Sequence, residues 1–262
     1  MDSSAEKAVE RVITLMRNNL DEQLTIDDMA RVAMFSKFHF SRMFQRVTGV
    51  SPGRFLSALR LQKAKHLLVS TSFNIADISL RVGYTSVGTF STRFTRSVGL
   101  SPTTYRRQLG VTEQIRTGMS PYAAEGPLST VRGIVRPAVR ERRDLIFAGL
   151  FRDRIPEGRP VACAVIEQPG PYLLEKVPPG MWHLLMHSVP ADRPDHPLQA
   201  VDDRDVAVAT LGPIAIRRNV VVEGADVQLK PMRALDPPVL MALLDIRTAA
   251  RKRVAHRAAA AR

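Results

Sequence analysis

The sequence predicts a multidomain fold: an all-α N-terminal domain with two helix-turn-helix motifs and seven helices, followed by a mainly antiparallel β-sandwich and a C-terminal helix. Three observations carry this. The first hundred residues contain one unit twice. Phe40, Phe44, Gly49, Ser51 and Pro52 recur fifty residues on as Phe90, Phe94, Gly99, Ser101 and Pro102. Asp28, Ala33 and Phe35 recur at an offset of 49 as Asp77, Val82 and Tyr84, so one residue is added in the second turn. Helix-start residues recur at matching places throughout this stretch, whereas from residue 129 short β-type runs replace them.

The elements follow in order. Val9, Val12, Ile13, Met16 and Leu20 fall at helical spacing and predict a helix over 6–20. Thr25 with Asp28 reads as a capping box opening a short helix at 26–33. Ser36 caps a helix running to Thr48 and ended by Gly49, and Ser51-Pro52 opens a longer one at about 52–69. The pattern then repeats, with Asn74 and Asp77 opening a helix that stops at Gly83. Thr85 or Ser86 opens the next, Gly99 ends it, and Ser101-Pro102 starts the last turn. Seven helices in about 105 residues leave no room for a sheet.

Domain limits read as 6–110 for the helical domain, 111–128 for a polar linker and 129–233 for the β domain. The β runs are Thr130–Val135, Leu145–Phe151, Pro160–Glu167, Tyr172–Lys176, Trp182–Ser188, Val206–Leu211, Ala215–Val222 and Asp226–Leu229. Residues 236–262 read as a helix and basic tail, begun by Pro237-Pro238 with Leu240, Leu243, Leu244 and Ala250 at helical spacing.

Charge points to a partner. Net charge is +13, and residues 1–110 hold 16 Lys+Arg against 8 Asp+Glu. After Asp77 no acidic residue occurs before Glu113, while Arg81, Arg93, Arg96, Arg106 and Arg107 crowd that stretch. A one-signed field suits a polyanion. The start of the chain lacks the features of a signal peptide and no apolar run reaches membrane-spanning length, so the expectation is a cytoplasmic protein with no membrane partner. The single cysteine, Cys163, can form no internal disulfide and lies in an apolar run that predicts an inert thiol. His183 and His187 share a strand face about 13 Å apart, too far to hold one ion. Asp202, Asp203 and Asp205 read as a charged loop. No phosphate loop, nucleophile elbow or metalloprotease motif occurs, so catalytic residues, metal and cofactor are all expected to be none, and the chain is expected not to be an enzyme.

The duplicated motif supplies a site. The second helix of a helix-turn-helix lies in the major groove and reads base edges from its exposed N-terminal half. In the first copy Phe40, Met43, Phe44 and Val47 share the inward stripe, leaving Lys37, Phe38, Ser41, Arg42, Gln45 and Arg46 outward. Arg42 is the best direct reader, because its fork can bond guanine O6 and N7 together. In the second copy Val87, Gly88, Thr89, Thr92, Arg93 and Arg96 belong to the outward set, with Arg93 and Arg96 directed to phosphates. The residue matching Arg42 is Thr92, so the second surface is chemically poorer. A connector of about 18 residues is roughly 27 Å long, which suits two reading helices in consecutive major grooves.

These residues closely resemble the AraC/XylS family of transcription regulators over roughly 6–108. The match runs through Ser36–Phe44, Thr48–Pro52, Arg60-Leu61, Ala64, Leu67-Leu68, Ile75–Ile78, Gly83-Tyr84, Phe90–Phe94 and Gly99–Arg106. The resemblance implies that Phe38, Ser41 and Arg42, with Val87, Gly88 and Thr92, occupy base-reading positions. It implies double-stranded DNA and RNA polymerase as partners. Family members mostly carry the effector domain before the DNA-binding region, whereas here the extra domain follows it. Pro169–Tyr172 with Val177–Trp182 resembles the strand–Pro-Pro-Gly–strand hairpin of transthyretin-like and carboxypeptidase-regulatory-like β-sandwiches. The expected roles of this domain are sensing a small-molecule effector or self-association. The alternative is a constitutive DNA-binding regulator whose sandwich serves only oligomerisation.

Overall fold

The computed structural model describes residues 3–109, 128–139, 144–190 and 206–240. The described residues form two compact units, one of 3–109 with Arg233–Leu240 and one of 128–139, 144–190 and 206–232. No described helix is long and apolar enough to cross a membrane.

The helical unit contains α1 (Ser3–Asn18), α2 (Ile26–Ala33), α3 (Lys37–Thr48), α4 (Pro52–Ser70), α5 (Ile75–Arg81), α6 (Val87–Val98) and α7 (Pro102–Arg107). Each start has a local cause. Thr25 and Asp28 close a reciprocal capping box on α2, the hydroxyl accepting from Asp28 N at 3.2 Å and the carboxylate from Thr25 N at 3.0 Å. Asn74 caps α5 and Ser101 caps α7 through backbone N–H groups three residues on. Ser51 makes no side-chain cap bond, so α4 starts on the fixed φ of Pro52 alone.

The repeat extends into the core. Phe40, Phe44 and Phe55 stack edge to face at 5.6 and 5.5 Å, and Phe90, Phe94 and Tyr105, each fifty residues later, repeat the series at 5.6 and 5.5 Å. All six rings are fully buried. Each buried ring removes a large apolar area from water, so the aromatic series is a major part of each motif's core. The segment 233–240 joins this unit with Leu235 and Leu240 buried, and Lys65 of α4 donates to the Val239 carbonyl at 3.2 Å.

The second unit contains β1 (Ser129–Arg136), β2 (Asp144–Phe151), β3 (Ala162–Ile166), β4 (Gly170–Val177), β5 (Gly180–Pro190), β6 (Ala207–Ile216), β7 (Val221–Val222), β8 (Val227–Gln228) and β9 (Lys230–Pro231). One sheet runs β4-β1-β7, with β8 also on β1; the other runs β3-β2-β5-β6-β9. Pairing is antiparallel except for the short parallel ladders of β7 and β8 on β1. Val131, Val135, Tyr172 and Leu174 of the first sheet share one core with Ile146, Leu150, Leu184 and Met186 of the second. On the opposite face of β2, Leu145, Phe147 and Phe151 form a further apolar cluster with Leu185 of β5.

Three readings of the sequence need correction. The Pro-Pro-Gly segment does not make a hairpin within one sheet, because β4 pairs with β1 while β5 pairs with β2 and β6. Pro178 and Pro179 have no N–H to close a two-strand ladder, and here they carry the chain from one sheet to the other. The runs 206–211 and 215–222 are not separate strands up to Ile216. β6 continues through Gly212-Pro213 because the register with β5 slips between Trp182 and Leu184, forming a bulge that takes up a proline without a donor. No helix begins at Asp236, where 236–240 are non-helical, because a residue preceding proline is driven out of the α region. The rest of the predicted C-terminal helix, nearly all of the 111–128 linker, and Asp202, Asp203 and Asp205 lie outside the described residues.

Candidate nucleic-acid interface

α3 and α6 are built alike. Ser36 accepts from His39 N at 3.4 Å and Ser86 from Thr89 N at 3.3 Å, and each helix closes on a glycine in the left-handed region, Gly49 (φ 80°) and Gly99 (φ 91°). The extra residue of the second turn is Thr85, just before the cap. Neither first turn carries an acidic residue, unlike that of α2 with Asp27 and Asp28. The partial positive charge of both helix N-termini is therefore left for an outside anion.

On α3, Phe40, Met43 and Phe44 are buried, whereas Lys37, Phe38, Arg42, Gln45 and Arg46 are exposed. Phe38 stands 75% exposed, a large apolar side chain offered to solvent in the first turn of α3. Lys37 lies 3.7 Å from Asp27 and 6.0 Å from the Phe38 ring centroid. Ser41 is half-buried and turns its proton inward, donating to Lys37 O at 2.8 Å, so toward a base edge it can only accept. On α6, Val87, Gly88, Thr89, Thr92 and Arg96 are exposed. A Cβ at Gly88 would meet only Ser86 Oγ at 3.6 Å, so this glycine leaves open space on the outer surface.

Arg93 differs from its expected placement. It is half-buried, and its Nε donates to Ser57 Oγ on α4 at 3.3 Å. The repeat explains this, since Arg93 occupies the position of buried Met43 fifty residues earlier. Tyr84 Oη lies 3.5 Å from the same hydroxyl, so Ser57 meets both the second turn and the second reading helix.

Sequence reasoning also missed residues bordering this surface. His39 stacks on Phe35 with ring centroids 4.8 Å apart, and lies on one helical row with exposed Arg42 and Arg46. That i, i+3, i+7 spacing is visible in the sequence. Met34, 83% exposed, holds a left-handed φ of 63° in the first turn. Gly83, at the matching place in the second turn, has φ 78°. Elsewhere, Cys163 is half-buried and its thiol is pushed up to about 11 by burial, away from thiolate chemistry. Among the described residues no three His, Cys, Asp or Glu side chains gather as a metal ion would require.

Two capped reading helices joined by one connector, each with an exposed acid-free N-terminus, define a DNA-binding domain of the helix-turn-helix class. A family profile described as a helix-turn-helix domain matches residues 29–108. The Transposon Tn10 TetD protein of Escherichia coli is 35% identical over 99 residues, which cover 38% of this chain and 72% of that protein. An uncharacterized HTH-type transcriptional regulator of Bacillus subtilis (strain 168), YbfP, is 36% identical over 101 residues, and the chain spans only 34% of its length. Among solved structures, the C-terminal domain of AraT, a response regulator from Geobacillus stearothermophilus, is 34% identical. That similarity covers 38% of this chain and 84% of the other, with a TM-score of 0.37. The chain belongs to the AraC/XylS family of helix-turn-helix transcription regulators, a family of DNA-binding proteins and not of enzymes.

Proposed function

We propose that the protein is a sequence-specific regulator of transcription that inserts α3 and α6 into two successive major grooves on one face of double-stranded DNA. The observation carrying this is the pair of exposed, acid-free helix N-termini joined by the 19-residue α4. At 1.5 Å per residue such a connector is about 28 Å long, near the roughly 34 Å between consecutive major grooves. In this reading Phe38, Ser41, Arg42 and Gln45 meet base edges, and Lys37, Arg46 and Arg96 meet phosphates. Val87, Gly88, Thr89 and Thr92 give an apolar or hydroxyl fit. RNA polymerase would be the second macromolecular partner, and the working compartment is the cytoplasm, where the DNA lies. The two-sheet unit is read as a β-sandwich that senses a small-molecule effector.

A second reading makes that unit an assembly module of a constitutive regulator. It is favoured by Ile134, Leu173 and Val221, apolar residues exposed on the outer side of the four-stranded sheet. Sedimentation of the full chain separates the two, since only the second reading expects a DNA-free dimer that persists without added ligand. The DNA-binding claim is tested by capturing genomic fragments with the full chain and footprinting those retained. Two protected stretches one helical turn apart are expected, bound at least about a thousandfold tighter than random duplex. Equal affinity for both would refute the reading.

A further inference from the structure

We propose that Arg60 is the clamp that fixes the distance and rotation between the two reading helices, and so sets the half-site spacing this protein accepts. The inference rests on the two-groove reading and adds the residue that determines spacing. Arg60 projects from α4 and forks onto the loop between α1 and α2. Its Nε donates to Leu20 O at 2.9 Å and its Nη2 to Glu22 O at 2.6 Å. That loop leads directly into the first helix-turn-helix. The second helix-turn-helix reaches the same guanidinium from elsewhere through Gly83, in the turn between α5 and α6. A Cβ built on Gly83 would lie 2.6 Å from Arg60 Nη2 and 2.7 Å from Arg60 Cζ, and closer still to the Leu20 carbonyl oxygen. First motif, connector and second motif therefore meet at one planar cation with no gap between them.

The repeat provides an internal control. Gly83 has φ 78°, and a left-handed residue is commonly a glycine for backbone reasons alone. The matching residue of the first turn, Met34, adopts φ 63° with a full side chain, 83% exposed. The turn thus tolerates a side chain where nothing lies against it. What excludes one at position 83 is the close approach of Arg60 and Leu20. Arg106 makes a comparable two-carbonyl contact to Leu68 and Phe73, but both lie beside its own motif and cannot set the relation between the two.

A one-base-pair change in half-site spacing moves the second groove by about 3.4 Å and about 35°. A rigid junction must resist that displacement, and a loosened one follows it. The test measures binding of the full chain to duplexes carrying its two half-sites at the selected spacing, and at one base pair more and less. The wild-type protein is expected to lose about tenfold or more at either altered spacing. Arg60→Met should bind more weakly at the selected spacing and lose less than about threefold on altering it, with base preferences inside each half-site unchanged. Arg60→Lys keeps charge and stem but not the fork, and is scored in its place should circular dichroism show that Arg60→Met does not fold. A folded variant that retains the full spacing penalty overturns the clamp while leaving the two-groove reading intact. A wild-type protein indifferent to spacing overturns both.

Discussion

Arg93 and Ser57 are joined across the second motif, with Nε of Arg93 donating to the Ser57 hydroxyl at 3.3 Å, so this arginine holds α6 against α4. Arg96, one turn on, is exposed, and in the proposed reading it is the phosphate contact of that helix. Arg96→Ala should weaken binding to every duplex and reduce the salt slope by about 1. Arg93→Met, which restores the residue of the first copy, should leave the slope unchanged and lower folding stability by about 1 kcal/mol. Salt titrations with denaturant unfolding of both variants check this, and a reduced slope for Arg93→Met would return it to the phosphate footprint.

The two left-handed turn residues should respond oppositely to exchange. Met34→Gly removes strain where nothing packs, so stability is expected to hold or rise by up to about 1 kcal/mol. Gly83→Ala combines a disfavoured φ with overlap on Arg60 and Leu20, and should lower stability by more than about 2 kcal/mol. Urea unfolding followed by helical circular dichroism measures both. Similar small changes at the two sites would mean that the Gly83 junction is loose.

Lys65 is half-buried against Val239, and desolvation pushes its ammonium from 10.5 down to about 8. The neutral form is favoured in the fold, so the unfolded chain binds more protons between those values. Stability therefore gains with pH across that window, by at most about 1.4 kcal/mol per unit, and below it this group lowers stability by a constant amount with no slope. Cys163, pushed up from 9 to about 11 by burial, acts in the opposite sense above 9, as does buried Tyr105 at higher pH. The difference between wild type and Lys65→Met isolates the lysine. Unfolding at pH 7.5, 8.5 and 9.5 should show wild type gaining on the variant, and a constant difference would place the lysine's titration outside this window.

Arg42 is exposed midway along α3, and in the proposed reading its guanidinium fork meets a guanine edge. Arg42→Ala should cost about 1–3 kcal/mol on the selected site and far less on random duplex. Equal losses on the two would show a phosphate contact instead.

The helical unit was legible because its causes are local. Thr25, Ser36, Asn74, Ser86 and Ser101 cap helices by bonds within three residues, and the fifty-residue offset carries the aromatic core from Phe55 to Tyr105. The outward face of α3 followed from helical period alone. The half-burial of Arg93 does not follow from its charge, but the repeat register sets it at the place of buried Met43. Arg60 and Gly83 were out of reach for another reason. Their contact joins residues distant in sequence, and nothing in a local pattern distinguishes a clamping arginine from a solvated one. In the β unit, strand positions followed from composition. The partner of each strand did not, since the sheet change at Pro178-Pro179 and the bulge at Gly212-Pro213 depend on tertiary pairing.

In the proposed reading the protein spans two grooves, and its first reading helix carries most of the sequence information. Selecting binding sites for the full chain from randomised duplexes tests it most directly. Two half-sites about 10–10.5 base pairs apart are expected. The half-site read by α3 should be richer in information and lose its preference when Arg42 is replaced, while the α6 half-site should be held by phosphate contacts and DNA shape. A single selected half-site, or two of equal information content, would contradict it.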